Sequence, residues 1–527
     1  MVDNKSNQEE NQLATGEVPA NVDLTPVYKA DSDKPPDKIN KASERPQPIF
    51  ETVPDPGSSK PEDLRPEEVS ADVVNPKDAL TSSPPEAFSP PPPPFEHKTK
   101  LLFIGGVAVF FLIIFFIIIK LFFGGKAQPK EINLQYWGLW EEKEVLEPLI
   151  AQYQAKNPNV KIVYQKMSPQ QYREKLIARG KNGQGPDIFR FHNTWLPQIK
   201  EIVTPLPSNI MSSTEFEKTF YAIHASDLGI GEKAGRRYYG LPLEIDGLVL
   251  VYNEGLFKKA GINKAPVTWE EITEYVSKLA VKDKNGQIIN SPIALGTASN
   301  VENFSDIFGL MLIQNGGDLK NLDKPEAAGA LESYRKLSEP PTDFWNDSMP
   351  NSMAAFIQEK VAMVIVPSWE ILTINIANPD LKFRVVGVPQ IPGAKPVSLA
   401  SYWVEGVSRY SRNQVEAWKF LRFLVEKDNL TKLYTQQSKN RIFGEPYSRK
   451  DLGPTIIQNE YIGAVIQQAE SYVSLPLISR TYDAGINDEI SKYIENAINA
   501  TLQGTSYAEA LRVAAQGVAQ VYGRFNN

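Results

Sequence analysis

The sequence predicts an α/β protein of two lobes, set behind one membrane-spanning helix and a disordered acidic tail. Three observations carry this reading. Sixteen of the nineteen residues from Leu101 to Ile119 are Leu, Ile, Phe or Val, and none is charged. At about 1.5 Å per helical residue this run spans about 28 Å, close to the ~30 Å hydrocarbon core of a bilayer. Beyond it, Ile132, Leu134 and Tyr136 alternate like a half-buried strand. Val145, Leu146, Leu149, Ile150 and Tyr153 then follow helical spacing, Asn157-Pro158 stops the helix, and Val160, Ile162 and Tyr164 alternate again. Strand–helix–strand favours a parallel sheet with a right-handed crossover. Finally, about 400 residues follow the apolar run, enough for two lobes.

The elements ahead of the lobes differ in physical character. Residues 1–97 form a tail that is poor in apolar residues and holds most of the charge imbalance. The first hundred residues carry 11 Lys+Arg against 19 Asp+Glu, a balance of −8, whereas the whole chain stands at −7. Such a segment cannot bury enough surface to offset its ordering entropy. Pro90–Pro94 favours polyproline II, either as a stiff spacer or as a partner-binding segment. The span is placed at 98–124, with Lys120 able to snorkel to the interface, and a short linker at 125–130. Lys98 and Lys100 precede the run and Lys120, Lys126 and Lys130 follow it, so local charge does not orient it. The near-neutral remainder argues against nucleic-acid binding. The absence of cysteine excludes disulfides, thiolate metal sites and a lipid-modified cysteine anchor.

Further along, Thr268 with Glu271, and Ser506 with Glu509, have the spacing of helix capping boxes. Two amphipathic helices close the chain, one through Ile486, Ile490, Ile494, Ile498 and Leu502, the other through Leu511, Ala514, Val518 and Val521. Signals for catalysis are poor. The three histidines lack metal-ligand spacing, and there is neither a P-loop nor a Gly-x-Ser-x-Gly elbow. No cofactor and no metal are expected. Glu244 and Asp246 lie two apart and would share a face of a strand, suited to accepting ligand hydroxyl hydrogens. All eight tryptophans follow the apolar run. Trp269 and Trp418 fall on patterned helices and read as packing residues. Trp137, Trp140, Trp195 and Trp369 sit beside Gly, Pro or polar residues, either as anchors or as apolar plates for a sugar face.

Seven short motifs now appear in one order. They are Gly183-Gln184-Gly185-Pro186-Asp187-Ile188; Tyr239-Gly240-Leu241-Pro242 with Leu250-Val251-Tyr252-Asn253 and Leu256-Phe257; Ala260-Gly261-Ile262; Pro266-Val267-Thr268-Trp269-Glu270-Glu271; Asn315-Gly316-Gly317; Ala355-Phe356 through Met363 to Trp369; and Glu416-Ala417-Trp418-Lys419-Phe420-Leu421. Together they resemble the extracellular solute-binding proteins of ABC sugar importers, in their maltose-binding-like carbohydrate branch, over residues 131–527. Glu359 stands where that family often has Gly before Lys.

The resemblance implies a periplasmic-binding-protein-like fold of two α/β lobes. Lobe one would hold about 131–247 and 390–437, lobe two about 248–389 and 438–527, with hinge crossings near Gly247 and Pro389. By motif position it implies ligand contacts from Trp140 and Glu141 after the first strand, and from Phe191, His192, Asn193 and Trp195 after the Pro-Asp motif. It adds Asp246, Trp369 in the second lobe, and Tyr402 and Trp403 where the chain returns. His192 reads equally as a satisfied surface histidine. Asp187, Tyr252 and Asn253 read as structural. The implied protein is no enzyme. It is a monomeric receptor that captures a small-molecule ligand, a sugar or oligosaccharide, and passes it to an ABC permease. The binding domain would lie outside the cell membrane and the tail inside. A transmembrane sensor built on the same module, or a glycosidase using Glu244 or Asp246, stay open as alternatives.

Overall fold

The computed structural model describes residues 112–115, 130–231 and 235–525. Residues 112–115 are helical and fall inside the expected span. The rest of that span, the tail and most of the linker lie outside the described residues. Among the described residues, no helix is long and apolar enough to cross a membrane.

The opening elements follow the periodicity of the sequence. β1 (Ile132–Gly138) leads to α1 (Lys143–Lys156), β2 (Val160–Lys166), α2 (Tyr172–Lys181) and β3 (Ile188–His192). β1 pairs in parallel with both β2 and β3. The chain continues through β4 (Leu241–Pro242), β5 (Leu248–Asn253), α3 (Trp269–Leu279), α4 (Phe304–Gln314) and α5 (Pro325–Arg335). Then come β6 (Met363–Pro367), α6 (Glu370–Ala377), β7 (Phe383–Val386), β8 (Ser398–Leu399) and β9 (Trp403–Val407). α7 (Gln414–Leu424), α8 (Lys427–Gln437), β10 (Tyr472–Val473), α9 (Ile486–Leu502) and α10 (Tyr507–Phe525) complete it.

Two sheets organise two lobes. Lobe one is built on the order β2-β1-β3-β9-β4, with β9 antiparallel to β3 and β4. Lobe two is built on β6-β5-β7, antiparallel throughout, and carries α9 and α10. The local devices read from sequence recur. Thr268 Oγ1 accepts from Glu271 N at 3.1 Å, and the Glu271 carboxylate reaches back to Val267 N at 2.6 Å as well as to the Thr268 backbone. Asn253 caps the next helix by accepting from Leu256 N, and Asp187 accepts from Gln135 N, tying β3 to β1. Trp269 and Trp418 are wholly buried.

Three segments cross between the lobes side by side. Gly247 bridges Ala400, Ser401 N donates to Asp246 O, and Ala400 N donates to Val473 O. β8 and β10 pair in parallel beside them. A Cβ on Gly247 would stand 2.4 Å from Leu399 O and 2.4 Å from the Tyr472 ring, so only glycine permits this approach. The second crossing therefore lies at Ala400, later than the expected Pro389. Residues 445–448 also stay with lobe one. Ile245 N donates to Pro446 O and Ser448 Oγ to Pro242 O, so the loop after α8 is sewn onto β4. Beyond it Glu460 and Tyr461 reach β7 and Gln468 Nε2 donates to Leu248 O, ahead of the crossing segment at Val473.

Candidate functional site

β3 ends at His192, β9 begins at Trp403, and these two residues face each other in register across the antiparallel pair. Strand ends thus meet at one edge of lobe one, the position where open α/β sheets present ligand sites. Opposite them, Ser368 and Trp369 turn from β6 into α6 in lobe two. Between lies a cavity of about 330 Å³ lined from both lobes.

The cavity is partly aromatic. The Trp403 ring is the hub of an edge-to-face cluster, 5.5 Å from Trp140, 5.2 Å from His192 and 5.4 Å from Trp195. Trp140 also stands 6.3 Å from Tyr482. Trp369 is 37% exposed and is covered on one side by the Arg480 guanidinium at 5.3 Å. Trp140, Arg480 and Tyr482 all hold positive φ, 63°, 58° and 54°. Non-glycine residues held there cost about 1–3 kcal/mol each, strain that clusters at ligand clamps.

Polar groups line the remainder. Glu244 Oε1 accepts from Trp403 N at 2.9 Å, and Asp246 Oδ1 accepts from Gly247 N at 2.7 Å. Burial pushes Asp246 up to about 7, against hydrogen bonds from Ser368. Burial, then the charge of Glu445, raises Glu244 well above the usual carboxylate range. Behind them, Arg190 and Glu405 face each other across β3 and β9 at 2.6 Å, both almost fully buried. Arg190 also lies 3.5 Å from Glu445, and Arg441 lies 3.3 Å from Glu141. Although burial opposes it, Arg190 and then Arg441 hold Glu445 low, while burial and Glu445 raise Glu141.

His192 is neutral, since burial lowers it to about 3. Thr194 N donates to Nδ1 at 3.4 Å, which leaves Nε2–H to donate to Ser401 Oγ at 3.2 Å on the cavity wall. Asn487 of α9 donates to Thr194 Oγ1 at 2.8 Å, so a chain of hydrogen bonds runs from lobe two to that wall. Nearby, Gln198 donates to Asp483 Oδ2 at 3.0 Å and Arg173 to Asp483 O. The segment 479–487 therefore both lines the cavity and fastens the lobes.

The residues named from sequence divide into two groups. Trp140, His192, Asp246, Trp369 and Trp403 line the cavity. The other five do not. Phe191 points to the opposite face of β3 from His192, as strand alternation requires, and is wholly buried. Trp195 is buried beneath Trp403. Asn193 and Tyr402 both bind Asp227, at 2.9 and 2.7 Å, in a node that also takes Ser474 beside the third crossing. Glu141 sits behind the wall against Gln437 and Arg441. Lining residues absent from the sequence reading include Ser368, Ser401, Arg441, Phe443, Glu445 and the run Ser479–Tyr482. Only the last gave a signal, a polar stretch between Leu477-Ile478 and an amphipathic helix.

Comparison with known proteins gives a consistent picture. The model of the bacterial extracellular solute-binding protein family matches residues 138–430. A binding protein of Brucella abortus (strain 2308) is 26% identical over 294 residues, 52% of this chain and 67% of its own. The maltodextrin-binding protein of Bacillus subtilis (strain 168) is 23% identical over 403 residues, 72% of this chain and 88% of its own. Among solved structures, the sugar-binding protein MalE of Xanthomonas citri superposes with a TM-score of 0.61 at 17% identity, covering 74% of this chain and 98% of that one.

Proposed function

Because the chain belongs to the bacterial extracellular solute-binding protein family, we propose that its cleft captures a sugar or oligosaccharide outside the cytoplasmic membrane for delivery to an ABC permease. The carrying observation is the cavity itself. Aromatic groups of lobe one (Trp140, Trp403) and lobe two (Trp369) share it with Glu244, Asp246 and Ser401. Aromatic faces suit the C–H face of a sugar ring, and carboxylates and hydroxyls suit its hydroxyl groups. Ligand contacts made to both lobes at once would favour their approach. The three adjacent crossings at Gly247, Ala400 and Val473 are where a hinge would absorb that motion.

In this reading the apolar run at 101–119 anchors the receptor, taking the place of a lipid-modified cysteine, and the acidic tail is cytoplasmic. No step of the mechanism is covalent. Titration of the full-length protein in detergent micelles with a panel of neutral mono- and oligosaccharides should give a tryptophan fluorescence change for at least one member, lost in Trp403→Ala. A flat response across the panel would argue against sugar capture. Protease shaving of intact cells should remove the lobes and spare the tail; a protected C-terminal domain would overturn the topology.

A further inference from the structure

The charges at the cleft do not balance, and the imbalance falls on one wall. Three arginines stand in or behind that cleft, and each already has two carboxylates. Arg190 takes Glu405 and Glu445, Arg441 takes Glu141 and Glu445, and Arg480 takes Glu302 and Glu370. Glu244 and Asp246 are left: neither makes an ion pair with any described residue, and Arg190, committed to Glu405 and Glu445, acts on Glu244 only as a charge beyond contact distance. Both line the cavity and both are 6% exposed.

Glu244 shows the deficit most clearly. One carboxylate oxygen accepts from Trp403 N. Among the described residues nothing donates to the other, although the side chain is nine-tenths buried and borders the cavity. Asp246, two residues along on the same extended segment, presents its carboxyl to the same face. The Trp403 ring stands beside them, and an aromatic face attracts a cation. An ionised carboxylate held out of water needs an opposite charge as well as a hydrogen bond. A sugar hydroxyl supplies only the second. A protonated amine supplies both.

We propose that the occupant of the cleft is a saccharide bearing a protonated amino group, seated against Glu244, Asp246 and Trp403. This deepens the sugar-capture reading and rests on it. The elevated carboxyls of Glu244 and Asp246 agree with it, since burial favours their protonated forms until a cation arrives.

The test titrates the full-length protein in detergent micelles with glucosamine oligomers of two to four units, by calorimetry near neutral pH. The comparisons are the same oligomers after N-acetylation and glucose oligomers of equal length. The expected result is affinity for the free amines at least about tenfold above both neutral series, equivalent to about 1.4 kcal/mol. Glu244→Gln should erase that preference, with a cooperative thermal melt verifying that the variant is folded. If the variant does not fold, the amine-to-neutral ratio on the unaltered protein decides alone. Neutral oligomers binding as tightly as amines would overturn this inference and leave sugar capture standing. Absence of binding by every saccharide, including the neutral panel, would overturn both.

Discussion

Replacing Gly247 by alanine tests the packing of the three crossings directly. The added methyl would stand 2.4 Å from a backbone carbonyl, Leu399 O, and 2.4 Å from a ring carbon of Tyr472. Neither neighbour is the loose end of a flexible side chain. Leu399 is held by the β8–β10 pairing and by the Gly247–Ala400 bridge, and Tyr472 is buried. Overpacking of this kind costs about 1–3 kcal/mol. Unfolding entropy of about 2.1 cal/mol/K per residue, over roughly 400 residues, gives about 0.8 kcal/mol/K, so the melting temperature should fall by roughly 1–4 °C. Differential scanning calorimetry resolves a change of that size. Gly523 supplies the control, because a Cβ there meets nothing within 4 Å and it lies in α10. Gly523→Ala should raise stability by about 0.5–1 kcal/mol through helix propensity. If Gly247→Ala melts at or above the parent, the crossing is not packed as described and the hinge argument fails with it.

Other consequences follow from buried charge. Arg190→Ala strands Glu405 without its cation and should cost about 3–5 kcal/mol, seen as a lowered denaturation midpoint; an unchanged midpoint would mean the pair is hydrated. Asp246 binds its proton more tightly folded than unfolded, with a value of about 7 against an ordinary 3.8. Its contribution is therefore fully present below about pH 4 and gone once pH has risen through 7, so stability should decline from about pH 4 to 7 and level off above it, with a shallower decline in Asp246→Asn. His224 behaves oppositely. Burial lowers it to about 3, and both ring nitrogens lack hydrogen-bond partners among the described residues. Stability that depends on its neutral form is lost as pH falls from 6.5 toward 3. His224→Phe, between the rings of Phe220 and Tyr402, should lessen that loss in melts at pH 4–5.

How far the sequence carried these conclusions depended on the range of the interaction. β1, α1, β2 and the two closing helices were legible because a 2- or 3.6-residue period marks one buried face, and local packing then honoured it. Motif position found the ends of β3 and β9, and hence His192 and Trp403. It did not separate their neighbours by face. Phe191 turns into the core one residue before His192 lines the cavity, and Tyr402 turns to Asp227 one residue before Trp403 does so. Arg441, Glu445 and Arg480 were not legible, because long-range pairing places them: Pro446 against Ile245, and Asp483 against Arg173. The crossings moved for the same reason, since β8 and β10 are two residues each and define themselves only by pairing together. Glu359 was legible as a departure, and its φ of 59° shows why glycine is common there. It keeps the left-handed backbone; its N donates to Phe356 O at 3.0 Å and its carboxylate accepts from Asn253 Nδ2 at 3.1 Å.

The most direct measurement is a crystal structure of the protein grown with the tightest-binding saccharide from the titrations. The ligand should lie between Trp140 and Trp403 of lobe one and Trp369 of lobe two, with donors on Glu244 and Asp246. A saccharide bound elsewhere, or touching one lobe only, would contradict the account.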